Sequence, residues 1–169
     1  WEIGPTSRPY DIRKRLLKHG ATFVEDQPAM SIDLEKLSHT YPLPDGLTIK
    51  HVDNERDLQL WGNAVHIGSD MPKPILKVFV NMYKSIGYGR EKGWRHYLAL
   101  LNSKPVGTAS LFLGHGVAGI NTVGTVPDAR NRGIGTAVTL TALHDARKRG
   151  YRIGALSASK IGHSMYKRM

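Results

Sequence analysis

The residues best suited to bind an anion lie in one run, Arg130-Asn131-Arg132-Gly133-Ile134-Gly135-Thr136. Glycine lets bare backbone approach an anion, and arginine supplies cationic donors that match phosphate oxygens. The run follows a β-branched stretch at 117–126 and Pro127, and a helical pattern begins directly after it. The first N–H groups of a helix have no partners within the helix and lie at the positive end of its dipole. The order strand, glycine-rich loop, helix therefore predicts a phosphate site.

The loop also has a purely structural interpretation, in which the glycines ease a tight turn and both arginines are solvated. The chain lacks the Gly-Lys-Ser/Thr of a P-loop and the Gly-x-Gly-x-x-Gly of a dinucleotide fold. For an isolated Arg-x-x-Gly-x-Gly motif, the structural and the functional interpretations stand about level. The residues around the motif have to decide between them.

The stretch 126–137 resembles the acyl-CoA signature of the GNAT superfamily of N-acyltransferases. The family pattern Gln/Arg-x-x-Gly-x-Gly/Ala is filled here by Arg130, Gly133 and Gly135. The likeness extends over about residues 97–169. It favours the functional interpretation of the loop, with acetyl-CoA as the co-substrate.

The resemblance implies a set of cofactor-binding residues in and around the loop. These are Thr125, Val126, Arg130, Asn131, Arg132, Gly133, Ile134, Gly135 and Thr136. The loop would donate backbone hydrogen bonds to the pyrophosphate, assisted by Arg130 and Arg132. The main chain at Thr125 and Val126 would pair with the pantetheine amides, as an added strand does. No metal is expected, since the eight histidines have no metal-ligand spacing.

Tyr166 is the candidate catalytic residue. Ile161, Met165 and Met169 recur at i, i+4 and i+8, which predicts a buried stripe on a last helix capped by Ser159. Tyr166 lies one position off that stripe. In the family that the chain resembles, a tyrosine here protonates the departing CoA thiolate, and a phenol of pKa ~10 suits that step. The alternative is a boundary tyrosine that only packs its ring.

The group that would take the proton from the amine is not identified by the sequence. The family often uses a glutamate on or near the strand before the loop, yet residues 114–124 contain no acid. Asn121 stands in that region and could orient a water, and Glu91 is a remote alternative. The missing base favours a second hypothesis, an acyl-CoA-binding regulatory module without turnover.

The order of predicted elements is typical of an α/β (α+β) fold. The resemblance implies a GNAT-like mixed, mostly antiparallel central sheet flanked by helices, with its C-terminal strands missing. Residues 1–46 are expected to form an N-terminal βαβ-like extension, and residues 47–169 a C-terminally incomplete acyltransferase domain.

Two details of packing follow from the pattern of residues. Asp53 is expected to cap the helix that follows it. The helix predicted at 75–86 is expected to bury an apolar stripe with helical spacing, made by Ile75, Val78, Phe79 and Met82.

The formal net charge of +10 suits nucleic acid, an anionic membrane or an anionic cofactor. No helix-turn-helix, zinc or stacking motif supports nucleic acid, so that hypothesis rests on charge alone. The chain has no cysteine, no apolar run of transmembrane length and no signal peptide, which makes the cytoplasm the expected location. Six cationic residues between positions 73 and 95 are interpreted as an ordinary solvated face. The alternative is that they face an acetyl acceptor that carries a carboxylate or a phosphate. They are Lys73, Lys77, Lys84, Arg90, Lys92 and Arg95.

The sequence thus predicts an N-acetyltransferase that moves an acetyl group from acetyl-CoA to a primary amine. Direct attack on the thioester is expected, because there is no cysteine to form a covalent intermediate. The expected partner is a small-molecule amine or a protein amine, and a homodimer is left open.

Overall fold

The computed structural model describes residues 3–38 and 40–169. In this part of the chain, five α-helices flank one six-stranded sheet. The elements in chain order are α1 (Ile12–Lys18), β1 (Ala29–Asp33), β2 (Leu47–His51), α2 (Glu55–Ser69), α3 (Lys73–Ile86), β3 (Trp94–Leu101), β4 (Lys104–Gly114), β5 (Val117–Thr125), α4 (Ile134–Lys148), β6 (Ile153–Ser157) and α5 (Lys160–Tyr166). The predicted mixed, mostly antiparallel sheet flanked by helices is confirmed.

The strands lie in the order β1-β6-β5-β4-β3-β2. Tight turns join β3 to β4 and β4 to β5, and both turns contain two residues with positive φ, Asn102 with Ser103 and His115 with Gly116. Such turns match the twist of antiparallel neighbours. Strands β5 and β6 run parallel, and helix α4 supplies the crossover connection that parallel neighbours require.

The pairing of β5 with β6 is short and positions the candidate site. It joins only residues 117–119 of β5 to residues 153–155 of β6. Beyond this point the strands separate, while β5 stays paired with β4 and β6 with β1. The sheet therefore opens in its middle, next to the start of α4.

Residues before position 47 contribute to the same hydrophobic core as the strands and α4. Leu34 and Leu37 are buried in that cluster, and burying a leucine fully stabilises by about 1.5–3 kcal/mol. The Arg147 guanidinium of α4 donates to their carbonyl oxygens, at 3.3 Å for Leu34 and 2.9 Å for Leu37. Strand β1 and the turn after it are thus fastened to the face of the sheet that α4 covers.

Helix α3 buries the face next to the predicted one, about 100° around the helix. The predicted stripe is exposed, by 49% at Ile75, 68% at Val78, 38% at Phe79 and 38% at Met82. Leu76, Val80 and Tyr83 are buried instead. Gly62 of α2 explains the choice, because a side-chain carbon there would lie only 3.3 Å from Val80 Cγ2. The glycine lets α3 approach α2 with its 76/80 face.

Two helix caps were predicted, and one is wrong. Asn54 caps α2, its side-chain oxygen accepting from the Asp57 N–H at 2.9 Å. The Asp53 carboxylate instead accepts from the backbone and side chain of Arg90, at 3.2 and 2.9 Å. Ser159 caps α5 as predicted, accepting from the Gly162 N–H at 3.2 Å.

The buried stripe predicted on α5 is also wrong at its first position, since Ile161 is 82% exposed. Helix α5 has only seven residues and turns Met165 and Tyr166 towards the domain.

No helix in residues 3–38 and 40–169 is long and apolar enough to cross a membrane.

Candidate active site

The separation of β5 from β6 forms a cleft of about 600 Å³. Its walls come from β1 with Gln27 just before it, from β5 and from β6. The β1 wall consists of Gln27, Ala29, Met30 and Ser31, the β5 wall of Gly119, Ile120, Asn121 and Thr122, and the β6 wall of Ala155, Leu156 and Ser157. Past the last β5–β6 pair, the facing strand edges no longer bond to each other. Such an edge can pair with the amides of an extended ligand. Sequence analysis did not identify the β1 wall.

The start of α4 can receive an anion. Gly133 precedes the helix with φ of +73°, and no side chain in the described part of the chain caps the helix. The first hydrogen bond back to the cap is from the Ala137 N–H to the Gly133 carbonyl, at 2.9 Å. The first turn carries no acidic residue. The preceding N–H groups, at 134–136, are therefore available to an external acceptor.

Three elements meet at this helix start. A side-chain carbon on Gly135 would lie 3.0 Å from Met165 Sδ of α5 and 3.5 Å from Thr125 Oγ1 of β5. The end of β5, the predicted phosphate loop and α5 are thus brought together. Of the other predicted loop residues, Asn131 and Arg132 are exposed and Ile134 is buried.

Arg130 turns towards the protein. Its Nε donates to the Thr125 carbonyl and its Nη2 to the Gly68 carbonyl, both at 3.2 Å. These bonds tie the loop to the end of β5 and to the end of α2. The Val126 N–H donates to the Val106 carbonyl of β4 at 2.9 Å, so this N–H faces away from the cleft.

Tyr166 lies beside the cleft. It lines a smaller cavity of about 50 Å³ together with Ile120, Thr139 and Leu156, and the two cavities share several lining residues. Tyr166 is half-buried, and burial raises the pKa of its phenol to about 12. The phenol therefore carries its proton at neutral pH.

The two residues considered as proton acceptors lie in different places. Asn121 lines the cleft, and its side-chain nitrogen donates to the Gly119 carbonyl at 3.4 Å. Glu91 lies 3.9 Å from Arg149, at the end of α4 opposite to the loop. Among the described residues, none of those that line the cleft carries a carboxylate.

Three polar side chains that sequence analysis missed lie in a row behind the cleft. The Thr122 hydroxyl donates to Ser110 Oγ at 3.0 Å, and Ser110 Oγ lies 2.8 Å from His96 Nδ1. Ser110 and His96 are almost wholly buried, at 0% and 1% exposed. Thr122 reaches the cleft. We call these three residues the hydroxyl chain.

Thr122 also has an unusual backbone conformation. Its φ is +51°, which is an outlier for a β-branched residue. It belongs to a β-bulge, in which Thr122 and Val123 face the single residue Ala109 of β4. The Thr108 hydroxyl donates to the Thr122 carbonyl at 3.0 Å and helps to hold this conformation. Strain of this kind concentrates at functional sites.

Half of the cationic stretch is paired. Lys84 lies 3.1 Å from Glu55, and Arg90 lies 2.9 Å from Asp53. Arg95 is buried and donates to the Arg90 carbonyl at 2.8 Å.

Within the described residues, no group of three or more histidines or carboxylates could hold a metal ion.

The stability of the fold should decrease in mild acid because of His96. Burial lowers the pKa of His96 to about 4, while a histidine in the unfolded chain titrates near 6.5. Above pH 6.5 the imidazole is neutral in both states, so it adds no pH dependence. Between about pH 6.5 and 4 the unfolded chain binds a proton that the folded chain does not, so stability falls as pH falls. The expected loss is about 3 kcal/mol.

Urea unfolding at pH 7, 5.5 and 4 measures this effect. The His96→Gln variant should lose less stability over that range than the wild type, whereas His115→Gln, at an exposed turn, should behave as the wild type does. The same pH dependence in His96→Gln and the wild type would contradict the prediction.

Comparisons with known proteins agree with this architecture. The model of the acetyltransferase (GNAT) family matches residues 70–169. No curated protein sequence matches the chain. The fold is similar to a GCN5-related N-acetyltransferase from Kribbella flavida, with 21% identity and a TM-score of 0.64, over 88% of this chain and 54% of that protein.

Two further solved structures share the fold. A GCN5-related N-acetyltransferase from Sphaerobacter thermophilus has 24% identity and a TM-score of 0.69, over 87% of this chain and 46% of that protein. A predicted acetyltransferase from Clostridium acetobutylicum, crystallised with acetyl-CoA, has 18% identity and a TM-score of 0.58, over 72% of this chain and 87% of that one. The chain spans about half the length of the Kribbella and Sphaerobacter proteins.

Proposed function

Because the chain belongs to the GNAT family of acetyltransferases, we propose that it transfers an acetyl group from acetyl-CoA to a primary amine. The observation that carries the proposal is the cleft between β5 and β6, which opens beside the uncapped start of α4. One end of this arrangement suits a diphosphate and the other suits an extended amide chain. Acetyl-CoA has both parts.

The proposed binding mode assigns each part of the coenzyme to a part of the site. The N–H groups at 134–136 donate to the pyrophosphate, and Arg132 and Asn131 approach it from the exposed side of the loop. Arg130 holds the loop in shape through its bonds to Thr125 and Gly68. The pantetheine amides pair with the free edge of β5, and the thioester reaches the part of the cleft near Tyr166.

The proposed reaction is a direct attack on the thioester. The amine nitrogen forms a bond to the acetyl carbon, the carbon–sulfur bond breaks, and its electron pair stays on sulfur. Tyr166 gives its phenolic proton to the thiolate, and the proton lost by the nitrogen returns to the phenol through water. The products are an N-substituted acetamide and free CoA. Holding the two reactants together supplies most of the acceleration.

One observation favours a second candidate, a module that binds acyl-CoA without turnover. None of the described residues that line the cleft has a carboxylate that could act as a general base. The acceptor is the open part of the enzymatic proposal, and either a small-molecule amine or a protein amine would suit it.

Release of CoA thiol from acetyl-CoA tests the proposal. L-lysine, spermidine, tyramine and a peptide with a free amino terminus serve as acceptors, and calorimetry measures the binding of CoA. We expect micromolar to millimolar CoA binding and amine-dependent thiol release. Binding without thiol release would support the module, and the absence of CoA binding would reject both candidates.

A further inference from the structure

The direction of the hydroxyl chain of Thr122, Ser110 and His96 depends on the tautomer of the His96 ring. The His96 ring is enclosed by aromatic rings, with centroid distances of 4.2 Å to Tyr83 and 4.5 Å to Trp61. Its Nε2 is buried and has no hydrogen-bond partner among the described residues. An aromatic face attracts an N–H hydrogen and repels a nitrogen lone pair. The neutral ring is therefore expected to carry its hydrogen on Nε2.

This tautomer fixes the hydrogens of both hydroxyls. With its hydrogen on Nε2, His96 can only accept at Nδ1, so Ser110 must donate to it across 2.8 Å. A serine hydroxyl has one hydrogen, so Ser110 must accept from Thr122 across 3.0 Å. The Thr122 hydrogen thus points into the protein, away from the cleft.

The oxygen of Thr122 keeps two lone pairs. Both belong to a residue that lines the cleft. The bulge and the strained φ of +51° hold this oxygen in place.

We propose that Thr122 is an obligate hydrogen-bond acceptor in the cleft and binds an N–H of the acceptor amine, with Ser110 and His96 as positioning residues. The proposal rests on the function proposed above. An amine attacks through its lone pair, so its N–H groups must point at acceptors on the side away from the thioester. Within residues 3–38 and 40–169, no carboxylate lines the cleft to accept them. An oxygen that cannot donate favours a primary amine and disfavours a ligand that presents only a lone pair or a carboxylate at this point.

The first test needs no substrate. Nitrogen-15 spectra of histidine-labelled protein at pH 7 report which ring nitrogen of His96 carries the hydrogen, and the His96→Gln variant assigns the signal. We expect the hydrogen on Nε2. A hydrogen on Nδ1 would reverse the hydroxyl chain and overturn the proposal.

The second test uses the best amine among L-lysine, spermidine, tyramine and the peptide. Thr122→Val keeps the shape and the β-branching but removes the hydroxyl, so the KM for the amine should rise about tenfold. The KM for acetyl-CoA should stay within about twofold. Thr122→Ser restores the hydroxyl and should bring the amine KM back to within about threefold of the wild type. A purely structural role would change neither KM selectively.

Thr48→Val is the matched control, because Thr48 is exposed on β2. If Thr122→Val and Thr48→Val have the same amine KM while the wild type turns over, this inference fails and the proposed function stands. If the wild type transfers acetyl to none of the four amines, both fail. If Thr122→Val does not fold, the nitrogen-15 spectra of the wild type and the kinetics of Thr122→Ser decide. A Thr122→Ser variant whose KM for the amine differs more than about threefold from that of the wild type would overturn the inference.

Discussion

Gly133→Val is expected to weaken coenzyme A binding at least about 100-fold. Gly133 has φ of +73°, which a β-branched residue does not tolerate. Relief of the strain rotates the loop and turns the N–H groups at 134–136 away from the pyrophosphate. Charge-assisted hydrogen bonds contribute about 1.5–3 kcal/mol each, so the loss of two accounts for the effect. Calorimetric titration with CoA measures it.

Gly116→Val provides the matched control. Gly116 has φ of +78° in the turn between β4 and β5, and no described atom lies within 4 Å of an added side-chain carbon. The same strain is introduced there, away from the loop. Gly116→Val should therefore lose stability but bind CoA as the wild type does. Equal CoA affinities for the two variants would show that the loop does not hold the diphosphate.

Tyr166→Phe is expected to lower kcat about 100-fold or more, with CoA affinity within about twofold of the wild type. The substitution keeps the ring that packs beside the cleft and removes only the hydroxyl that would protonate the thiolate. Because burial raises the pKa of this phenol to about 12, the wild type keeps the proton available across the physiological range. Thiol release and calorimetry together separate turnover from binding.

Tyr151→Phe removes a hydroxyl from another half-buried tyrosine, which packs against the α4 side of the core. It should leave kcat unchanged within about twofold. A Tyr166→Phe variant as active as Tyr151→Phe would remove Tyr166 from the mechanism and leave it a packing role.

The part of the site that the sequence predicted is local in the chain. The loop and the start of α4 lie within about ten consecutive residues, and glycine spacing and helical periodicity both act at that range. The position of Arg130 was not predictable in the same way. Its partners include the Gly68 carbonyl, whose place beside β5 depends on how α2 crosses the sheet.

The buried face of α3 shows why periodicity alone was insufficient. The helix carries two apolar stripes, one through Ile75 and Phe79 and one through Leu76 and Val80, and both have helical spacing. The choice was made by Gly62 on a different helix, where the missing side chain admits Val80. No pattern within α3 contains that information.

The hydroxyl chain was missed for a related reason. His96 lies opposite Ser110 in the β3–β4 ladder, and the bulge in β5 brings Thr122 next to Ser110. These three residues come together only through strand register, which their spacing in the sequence does not reveal. A histidine inside a strand that is otherwise buried was the one available sign of a polar partner.

The pairing of β1 with β6 has a consequence for folding kinetics. Ala29 pairs with Ser157, so this contact closes a loop that contains nearly all of the sheet. The entropy of closing a long loop is lost before the pairing stabilises the chain, which slows folds rich in distant contacts. During synthesis β1 must wait unpaired until β6 leaves the ribosome. The β1 wall of the cleft is therefore expected to form late, after strands β2–β5 have paired.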